Sequence, residues 1–333
     1  MRKTEPCEIG SEFWSVPVTN DDNGLFPQET KWFLSGRSAL AEIIADIMAK
    51  ASVKTAALPS WCCDSMINPF SDAGIDVKFY PVFMENGKLV QDISCADGSD
   101  ILFLMDYFGY TGEEVCGFKG IVIRDVTHSV FSQKYTDADY YFGSLRKWAG
   151  FWTGGFATGL SEKHLSQDEI YVGMRREAMA KKENYITGNS DSKGYLDDFG
   201  DAEEYLENCG IAGAAERDIL LAQKLDVPGL KSKRRANARR LLERLADIAI
   251  FPEIKQADCP LFVPILVPDG KRDALRRHLI DRQIYCPVHW PLSQFHNVSG
   301  RAKEIYDNEL SIVCDQRYSE EDMDRILKAV REF

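Results

Sequence analysis

The sequence lacks several features that define whole classes of protein. It has no uninterrupted run of about 18 apolar residues, the length that a membrane-spanning helix needs. The N-terminal stretch is charged and has no apolar segment of the kind found in secretory signals. Positive charge is also scarce, because 40 lysines and arginines face 52 aspartates and glutamates, which gives a net charge of −12. We therefore expect neither a membrane partner nor a general nucleic-acid-binding surface.

Cysteine is present but forms no recognisable pattern. The nine cysteines are scattered, include no Cys-x-x-Cys pair and show no metal-ligand spacing, so no metal site is expected. A secreted disulfide framework is not expected for a chain of 333 residues. These absences predict a reduced, cytoplasmic protein. Its 44% hydrophobic residues suffice for a large core and favour two domains.

Short apolar runs alternate with helical or loop stretches in the first half of the chain. They are nearly continuous and rich in branched and aromatic residues, a pattern typical of strands buried on both faces of a parallel sheet. We predict an α/β fold with a largely parallel sheet, in which ligands bind beyond the carboxyl ends of the strands. The predicted strands are Thr55–Pro59, Val77–Val82, Asp100–Tyr107, Gly120–Val126 and two more that begin at Tyr140 and Gly155.

Charged helical sequence replaces this alternation after the last of these strands. We predict a large domain over residues 1–230, which starts with a loop-like arm over residues 1–30. A small C-terminal α+β domain is predicted over residues 231–333. A Pro-Gly break precedes it, and a long helix with a basic first half begins at Lys231.

A turn of small residues precedes an amphipathic helix that starts near Ser38. Apolar residues recur in this helix at helical spacing. The backbone N–H groups at such a helix start bind phosphate readily. A plain N-cap by Ser35 or Ser38 would explain the same residues, so both interpretations stay open at this point.

A serine and a lysine share the turn that follows the predicted Tyr140 strand, in the pattern Ser144-x-x-Lys147. A lysine amine that is partly desolvated or near other positive charge can form a Schiff base with an aldehyde cofactor. The adjacent Arg146 and the neighbouring aromatic residues offer both influences. Lys147 could equally be a solvated lysine at a strand end, since this short pattern alone is weak evidence.

Three other side chains fall close to predicted strand ends. Asp125 could pair with a protonated ring nitrogen, the acid partner that pyridoxal phosphate enzymes need, or it could form a structural salt bridge. His128 could face the same site or pack as an ordinary histidine. Trp61 could lie over a flat cofactor ring or belong to the hydrophobic core.

Four segments in order resemble the DegT/DnrJ/EryC1/StrS family of pyridoxal-phosphate-dependent aminotransferases, which have the aspartate-aminotransferase (type I) fold. The resemblance extends over nearly the whole chain from Phe33. Four ordered matches that end at one lysine are more specific than any single match. The segments are SGRSAL at residues 35–40, LPSWCCDSMI at residues 58–67, RDVTHS at residues 124–129, and Lys147 followed at seven and eight residues by Gly154 and Gly155.

The resemblance implies an enzyme with pyridoxal 5'-phosphate, which passes an amino group from an amino-acid donor to a keto substrate such as a keto-sugar nucleotide. It implies that Lys147 forms the Schiff base, that Asp125 faces the pyridine nitrogen and that His128 lies near the phenolic oxygen of the cofactor. These three residues would be the catalytic set. Trp61 would stack on the cofactor ring, with Cys62 beside it. The residues implied for the phosphate are Gly36, Arg37, Ser38 and Ser144.

The resemblance also implies a homodimer with shared active sites, and it places His289 and Trp290 on the substrate side. Two positions depart from the family pattern. Arg124 stands where an acid usually precedes Asp125, and Thr153 stands where an acid often precedes the glycine pair. The asparagine motif that sugar aminotransferases contribute from the partner subunit is not found. A non-catalytic sensor or binding module therefore stays an alternative. So does a sugar dehydratase, although those enzymes replace the lysine with histidine.

Overall fold

Strands and helices alternate through most of the computed structural model. The structure describes residues 8–112, 114–115, 117–132, 136–161, 165–296, 298 and 300–333. The strands are β1 (Ile9–Gly10), β2 (Lys31–Phe33), β3 (Thr55–Pro59), β4 (Asp76–Tyr80), β5 (Val82–Glu85), β6 (Lys88–Gln91), β7 (Ile101–Met105), β8 (Ile121–Asp125), β9 (Tyr140–Ser144), β10 (Gly155–Thr158), β11 (Phe262–Leu266), β12 (Ile284–Tyr285) and β13 (Glu309–Val313). The helices are α1 (Gly36–Lys50), α2 (Asp64–Asp72), α3 (Glu169–Ile186), α4 (Tyr195–Asn208), α5 (Glu216–Gln223), α6 (Val227–Leu245), α7 (Arg272–Ile280), α8 (Gly300–Asn308) and α9 (Glu320–Arg331). Within these ranges, no helix combines the length and apolarity needed to cross a membrane.

The largest sheet has seven strands in the order β2-β10-β9-β8-β7-β3-β4. From β4 to β9 every neighbouring pair is parallel, whereas β10 runs antiparallel to both β9 and β2. Strand β7, which lies between β8 and β3, is buried along its whole length, as expected of a strand that is covered on both faces. Helix α1 packs against β9 and β10. The predicted α/β class with a largely parallel sheet is confirmed.

Four parallel strands bring their carboxyl ends to one edge of this sheet. β3, β7, β8 and β9 end there at Pro59, Met105, Asp125 and Ser144. The candidate cofactor-binding residues of this half of the chain lie at one of these ends, shortly after one, or in the first turn of α1. This edge is the usual ligand site of an open α/β sheet.

The C-terminal elements share a second hydrophobic cluster. β11 pairs antiparallel with β13, and α6 packs against β11 and α9. Helix α6 begins at Val227 rather than at the predicted Lys231, and the Asp226 side chain caps it by accepting from the backbone N–H of Gly229. The Pro-Gly pair opens the helix instead of breaking the chain, because a proline at the first helical positions loses no hydrogen bond. This helix therefore spans the predicted domain boundary.

The N-terminal arm is more structured than the predicted loop. β1 pairs in parallel with β12, and Ile9 is fully buried in the C-terminal cluster. Arg317 holds the next residues, since its Nη atoms donate to the carbonyl oxygens of Ser11 and Glu12 at 3.1 and 3.0 Å. Its guanidinium also lies 3.9 Å from the ring centroid of Phe13. Sheet pairing and these contacts tie the arm to the C-terminal elements.

Candidate active site

A cavity of about 400 Å³ opens beside the carboxyl edge of the large sheet, and Lys147 lies on its wall. The lysine is the last residue of a short 3-10 turn that directly follows β9. Its side chain is exposed, and no hydrogen bond or ion pair within the described ranges holds its amine. An amine in this position is available to react with an aldehyde.

Asp125 is the last residue of β8 and is only 3% exposed. Its Oδ1 accepts a hydrogen bond from the backbone N–H of Thr127 at 2.7 Å. Burial raises the pKa of Asp125 to about 6, against the lowering effect of the Thr127 hydrogen bonds. The charge of Lys147 also lowers this pKa, so the amine and the carboxylate act on one another within one site.

Two buried histidines face each other next to Lys147. The rings of His128 and His289 meet edge to face with centroids 5.5 Å apart, and His128 stacks on Trp290 at 5.7 Å. Burial lowers the pKa of His289 to about 3 and that of His128 well below its usual value, and the positive charge of Lys147 adds to both effects. Both imidazoles are therefore neutral at physiological pH. Nδ1 of His128 is buried and has no hydrogen-bond partner within the described ranges.

The start of α1 lies directly against the end of β9. The side chain of Ser35 caps the helix by accepting from the backbone N–H of Ser38 at 3.1 Å, so the predicted N-cap is present. Gly36 lies beside Ser144, where an added Cβ would come 3.5 Å from the serine Cβ. Nε of Arg37 is buried without a partner in the described part of the chain. The N-cap does not exclude a phosphate here, because the other N–H groups of the first turn still point outward.

The glycine pair holds this arrangement together. A Cβ on Gly155 would come 2.1 Å from the carbonyl oxygen of Ser35, so only glycine lets β10 approach the start of α1 this closely. Gly154 has φ of +111°, a conformation that glycine adopts without strain. Together the two residues position the Ser35 turn against β9 and β10.

Trp61 and Cys62 occupy buried positions after β3. The Trp61 indole stacks on Tyr107 with centroids 4.8 Å apart, and its Nε1 donates to the carbonyl oxygen of His289 at 2.6 Å. The Sγ of Cys62 lies 3.6 Å from Nε2 of His296, and burial raises the pKa of its thiol well above the usual value. Burial also raises the pKa of the neighbouring Cys63, on which the charges of Lys147 and Asp125 act in opposite directions. Sequence analysis selected Cys62 and not Cys63. Because consecutive side chains along an extended chain point to opposite sides, only one of the two thiols faces Lys147, and the sequence does not show which.

Both departures from the family pattern have structural partners. Arg124 is 2% exposed and bridges the carboxylates of Asp106 and Asp137. Thr153 is fully buried, and its N–H and hydroxyl both donate to the carboxylate of Asp218, at 2.7 and 2.8 Å. The side chains at 124 and 153 thus support the site from outside the cavity.

Sequence analysis missed a set of cationic side chains that surround the cavity. Arg317 forms a two-point pair with Asp315, at 2.8 and 2.9 Å, and Lys193 pairs with Glu8 at 3.0 Å. These residues come from distant parts of the chain and follow no motif, so only the folded chain reveals the group. Besides Lys147, the cationic residues on the cavity wall are Arg146, Lys193, Arg234, Arg276 and Arg317.

A mixed sheet with one antiparallel strand and a lysine just beyond its carboxyl edge is the architecture of type I pyridoxal-phosphate-dependent aminotransferases. The sequence matches no protein-family model, and no curated protein gives a significant sequence match. Solved structures of aminotransferases do superimpose on this chain, and they confirm the predicted type I fold.

Three solved aminotransferases illustrate it. A DegT/DnrJ/EryC1/StrS aminotransferase from Brucella abortus superimposes with a TM-score of 0.60 at 15% identity, over 91% of this chain and 85% of that one. The putative sugar aminotransferase Spr1654 from Streptococcus pneumoniae, in its PLP form, gives 0.64 at 13% identity, over 98% of each chain. The sugar aminotransferase CalS13 from Micromonospora echinospora gives 0.63 at 15% identity, over 99% of this chain and 100% of that one.

Proposed function

We propose that this protein is a pyridoxal-phosphate-dependent aminotransferase. The observation that carries the proposal is the convergence of a lysine amine, unpaired within the described ranges, and a buried strand-end carboxylate at one edge of a sheet with the aminotransferase fold. Lys147 lines the cavity, Asp125 ends the neighbouring strand, and the two groups act on one another electrostatically. A buried carboxyl whose pKa is raised, with a charge partner beside it, is typical of functional sites.

The residues present fit this cofactor group by group. Pyridoxal phosphate has an aldehyde, a pyridine nitrogen, a phenolic oxygen and a phosphate. Lys147 offers an amine for the aldehyde, and Asp125 offers a buried carboxylate for the nitrogen. The unpartnered Nδ1 of His128 suits the phenolic oxygen, and the unpartnered Nε of Arg37, at the start of α1, suits the phosphate. Both are among the buried polar atoms of the described residues that have no hydrogen-bond partner, so each is free to bind one of these groups.

Bound here, pyridoxal phosphate would supply the carbon that carries the amino group and an electron-withdrawing ring. Asp125 has a pKa of about 6, so it is largely ionised at pH 7 and can accept the N–H of a protonated ring nitrogen. Lys147 would hold the cofactor covalently through Nζ. When a substrate amine displaces it, the freed Nζ would take a proton from the substrate carbon that bears the amine and deliver it to the aldehyde carbon of the cofactor. Ser144 and Ser38, with the N–H groups of α1, would orient the phosphate.

The cationic cavity supports a substrate that bears negative charge. Arg146, Arg276 and Arg317 line the cavity together with Lys147, in a chain whose net charge is −12. The six cationic residues of the lining outnumber its three acidic residues, which are Glu8, Glu12 and Asp315. A carboxylate or a phosphate of the substrate would bind such a cluster by charge-assisted hydrogen bonds. Because the structural neighbours are described as sugar aminotransferases, a phosphorylated keto sugar such as a keto-sugar nucleotide is the acceptor that we would test first. His289 and Trp290 would contact it. We also propose that the enzyme is a cytoplasmic homodimer.

Covalent attachment of the cofactor tests the proposal directly. Purified protein incubated with pyridoxal phosphate should turn yellow, and borohydride should fix the cofactor onto a peptide that contains Lys147. Lys147→Ala should abolish the fixed adduct. Lys193→Ala is the matched control, because it removes another lysine amine of the same cavity and should leave the adduct in place. A protein that stays colourless and takes up no cofactor would favour the binding-module alternative.

A single-turnover experiment distinguishes amino transfer from other pyridoxal phosphate chemistry. The loaded enzyme is mixed with individual amino acids in the absence of an acceptor, and the released cofactor is separated chromatographically. An aminotransferase leaves the aminated cofactor behind, at one equivalent per active site. Cofactor that is recovered only as the aldehyde with every donor would contradict amino transfer.

A further inference from the structure

Three buried residues form a hydrogen-bonded chain that leads from β13 to the cavity. Glu309 and Ser311 are fully buried on β13, and His289, which is 8% exposed, lines the cavity together with Lys147. The hydroxyl oxygen of Ser311 lies 2.5 Å from Oε1 of Glu309 and 2.8 Å from Nδ1 of His289. The other carboxylate oxygen accepts from the backbone N–H of His289 at 2.7 Å. Glu309 therefore holds His289 at its backbone directly and at its ring through Ser311.

The Ser311 hydroxyl has one proton, so it can donate to only one of its two neighbours. If Glu309 is ionised, the hydroxyl donates to the carboxylate and accepts from Nδ1–H of His289, which leaves Nε2 without a proton. If Glu309 is protonated, its O–H donates to Ser311, and the hydroxyl donates to Nδ1, so the ring proton sits on Nε2. Both states satisfy the Glu309 carboxyl, the Ser311 hydroxyl and Nδ1 of His289, and they differ in whether Nε2 of the imidazole carries a proton.

We propose that Glu309 selects, through Ser311, which nitrogen of His289 carries the ring proton. The far nitrogen, Nε2, is then a hydrogen-bond donor when Glu309 is neutral and an acceptor when Glu309 is ionised. The donor form suits a carbonyl or carboxylate oxygen of a substrate, whereas the acceptor form repels it. Glu309 is in this sense a positioning residue, because it acts on the substrate only through His289. The selection of the tautomer stands on geometry alone, and its consequence for substrates rests on the proposed function.

Burial of Glu309 places the change of tautomer at about pH 8. Burial raises the pKa of Glu309 to about 8, against the lowering effects of Ser311, the His289 N–H and the cation of Arg272. Cys286 also faces Glu309, but burial raises the pKa of its thiol to about 12, so it stays neutral. On the His289 side, the ring faces His128 and the charge of Lys147.

The ring of His289 itself stays neutral throughout this range, since its pKa is lowered to about 3 by burial and then by Lys147. Only the position of its proton can change. The donor form should therefore predominate at pH 7, and the acceptor form should replace it as the pH rises through about 8.

Nitrogen-15 NMR of the histidine side chains tests the selection of the tautomer without any cofactor or substrate. The chain has five histidines, and the missing signal in His289→Gln assigns the one of interest. In the wild type we expect its Nε2–H form below about pH 8 and its Nδ1–H form above it. Glu309→Gln should hold the Nε2–H form at every pH, because the glutamine amide donates to Ser311 as a protonated glutamate does. Ser311→Ala should abolish the coupling between the tautomer and pH.

Two results would overturn the proposal: a wild-type tautomer that does not change across this range, or a Glu309→Gln variant whose tautomer still changes. The wild-type titration decides the matter even if a variant fails to fold. Steady-state kinetics with the proposed keto-sugar acceptor then test the consequence for substrates. The wild-type kcat/KM should fall about tenfold per pH unit above about pH 8, mainly through KM, and the fall should vanish in Glu309→Gln. If the protein binds no pyridoxal phosphate, the kinetics fail with the proposed function, whereas the NMR result is unaffected.

Discussion

The buried carboxylate of Asp125 should destabilise the protein whenever the cofactor is absent. The perturbation is Asp125→Asn, which keeps an oxygen to accept from the Thr127 N–H but removes the charge. In the folded chain the pKa of Asp125 is raised from 3.8 to about 6. At about 1.4 kcal/mol per pH unit, this difference amounts to about 3 kcal/mol of unfavourable free energy in the ionised form.

The carboxyl of Asp125 holds its proton more tightly in the folded chain than in the unfolded chain, and this fixes the direction of the pH dependence. Below pH 3.8 the carboxyl is protonated in both states, so it has no effect on stability. Between pH 3.8 and about 6 the unfolded chain releases its proton first, and the contribution of Asp125 to the free energy of unfolding falls as the pH rises. Above this window the full penalty is present. The variant without cofactor should therefore be more stable than the wild type at pH 8, by up to about 3 kcal/mol, and about equally stable near pH 4.

Urea unfolding of both proteins, after removal of pyridoxal phosphate with hydroxylamine, measures the difference across this pH range. Asp72→Asn, which removes an exposed carboxylate at the end of α2, is the matched control and should leave the pH dependence unchanged. The same Asp125→Asn variant should bind the cofactor more weakly, because the ring nitrogen loses its acid partner. Equal stability of the wild type and Asp125→Asn at pH 8 would refute the reasoning, as would a stability difference between the two proteins that does not grow through the window.

Gly155→Ala should both destabilise the fold and weaken cofactor affinity, because the added Cβ would collide with the Ser35 carbonyl oxygen and displace the start of α1. Thermal unfolding measures the stability, and a titration with pyridoxal phosphate measures the affinity. Unchanged affinity would contradict the proposed phosphate site. Arg124→Met should cost about 3–5 kcal/mol in urea unfolding, because it leaves two buried carboxylates without their cation, and a loss below about 1 kcal/mol would argue against the buried pairing. Thr153→Val should cost about 1–3 kcal/mol by removing one donor to Asp218, while Thr153→Ser should restore most of that stability.

The parts of the fold that the sequence predicts well are those with local signals. The buried run of β7 and the small-residue start of α1 follow from composition and spacing over a few residues. Asp125 could be selected because it ends an apolar strand, and Lys147 because it closely follows another. The carboxyl ends of neighbouring parallel strands lie at the same edge of a sheet, which brings the two residues together. The start of α6 was misplaced because proline and glycine resemble a break when no neighbours are considered.

What could not be predicted depends on contacts between distant residues. Arg317 is held by the N-terminal arm, about 300 residues away in sequence, and its pairing with Asp315 gives no sign of a cavity. The chain from Glu309 through Ser311 to His289 likewise joins β13 to a loop 20 residues earlier. Neither group has a motif, because hydrogen bonds of this kind need only compatible atoms at the right places, and many sequences supply them.

The pairing of β1 with β12 has a practical consequence for anyone who works with this protein. The arm that carries Glu8 and Glu12 forms part of the wall around Lys147, so this short parallel pairing helps to shape the cavity. A substitution that loosened the pairing would alter the binding of small molecules as well as stability. Mutational tests of the site should therefore leave Ile9 and Ile284 unchanged, because both are fully buried in the C-terminal cluster.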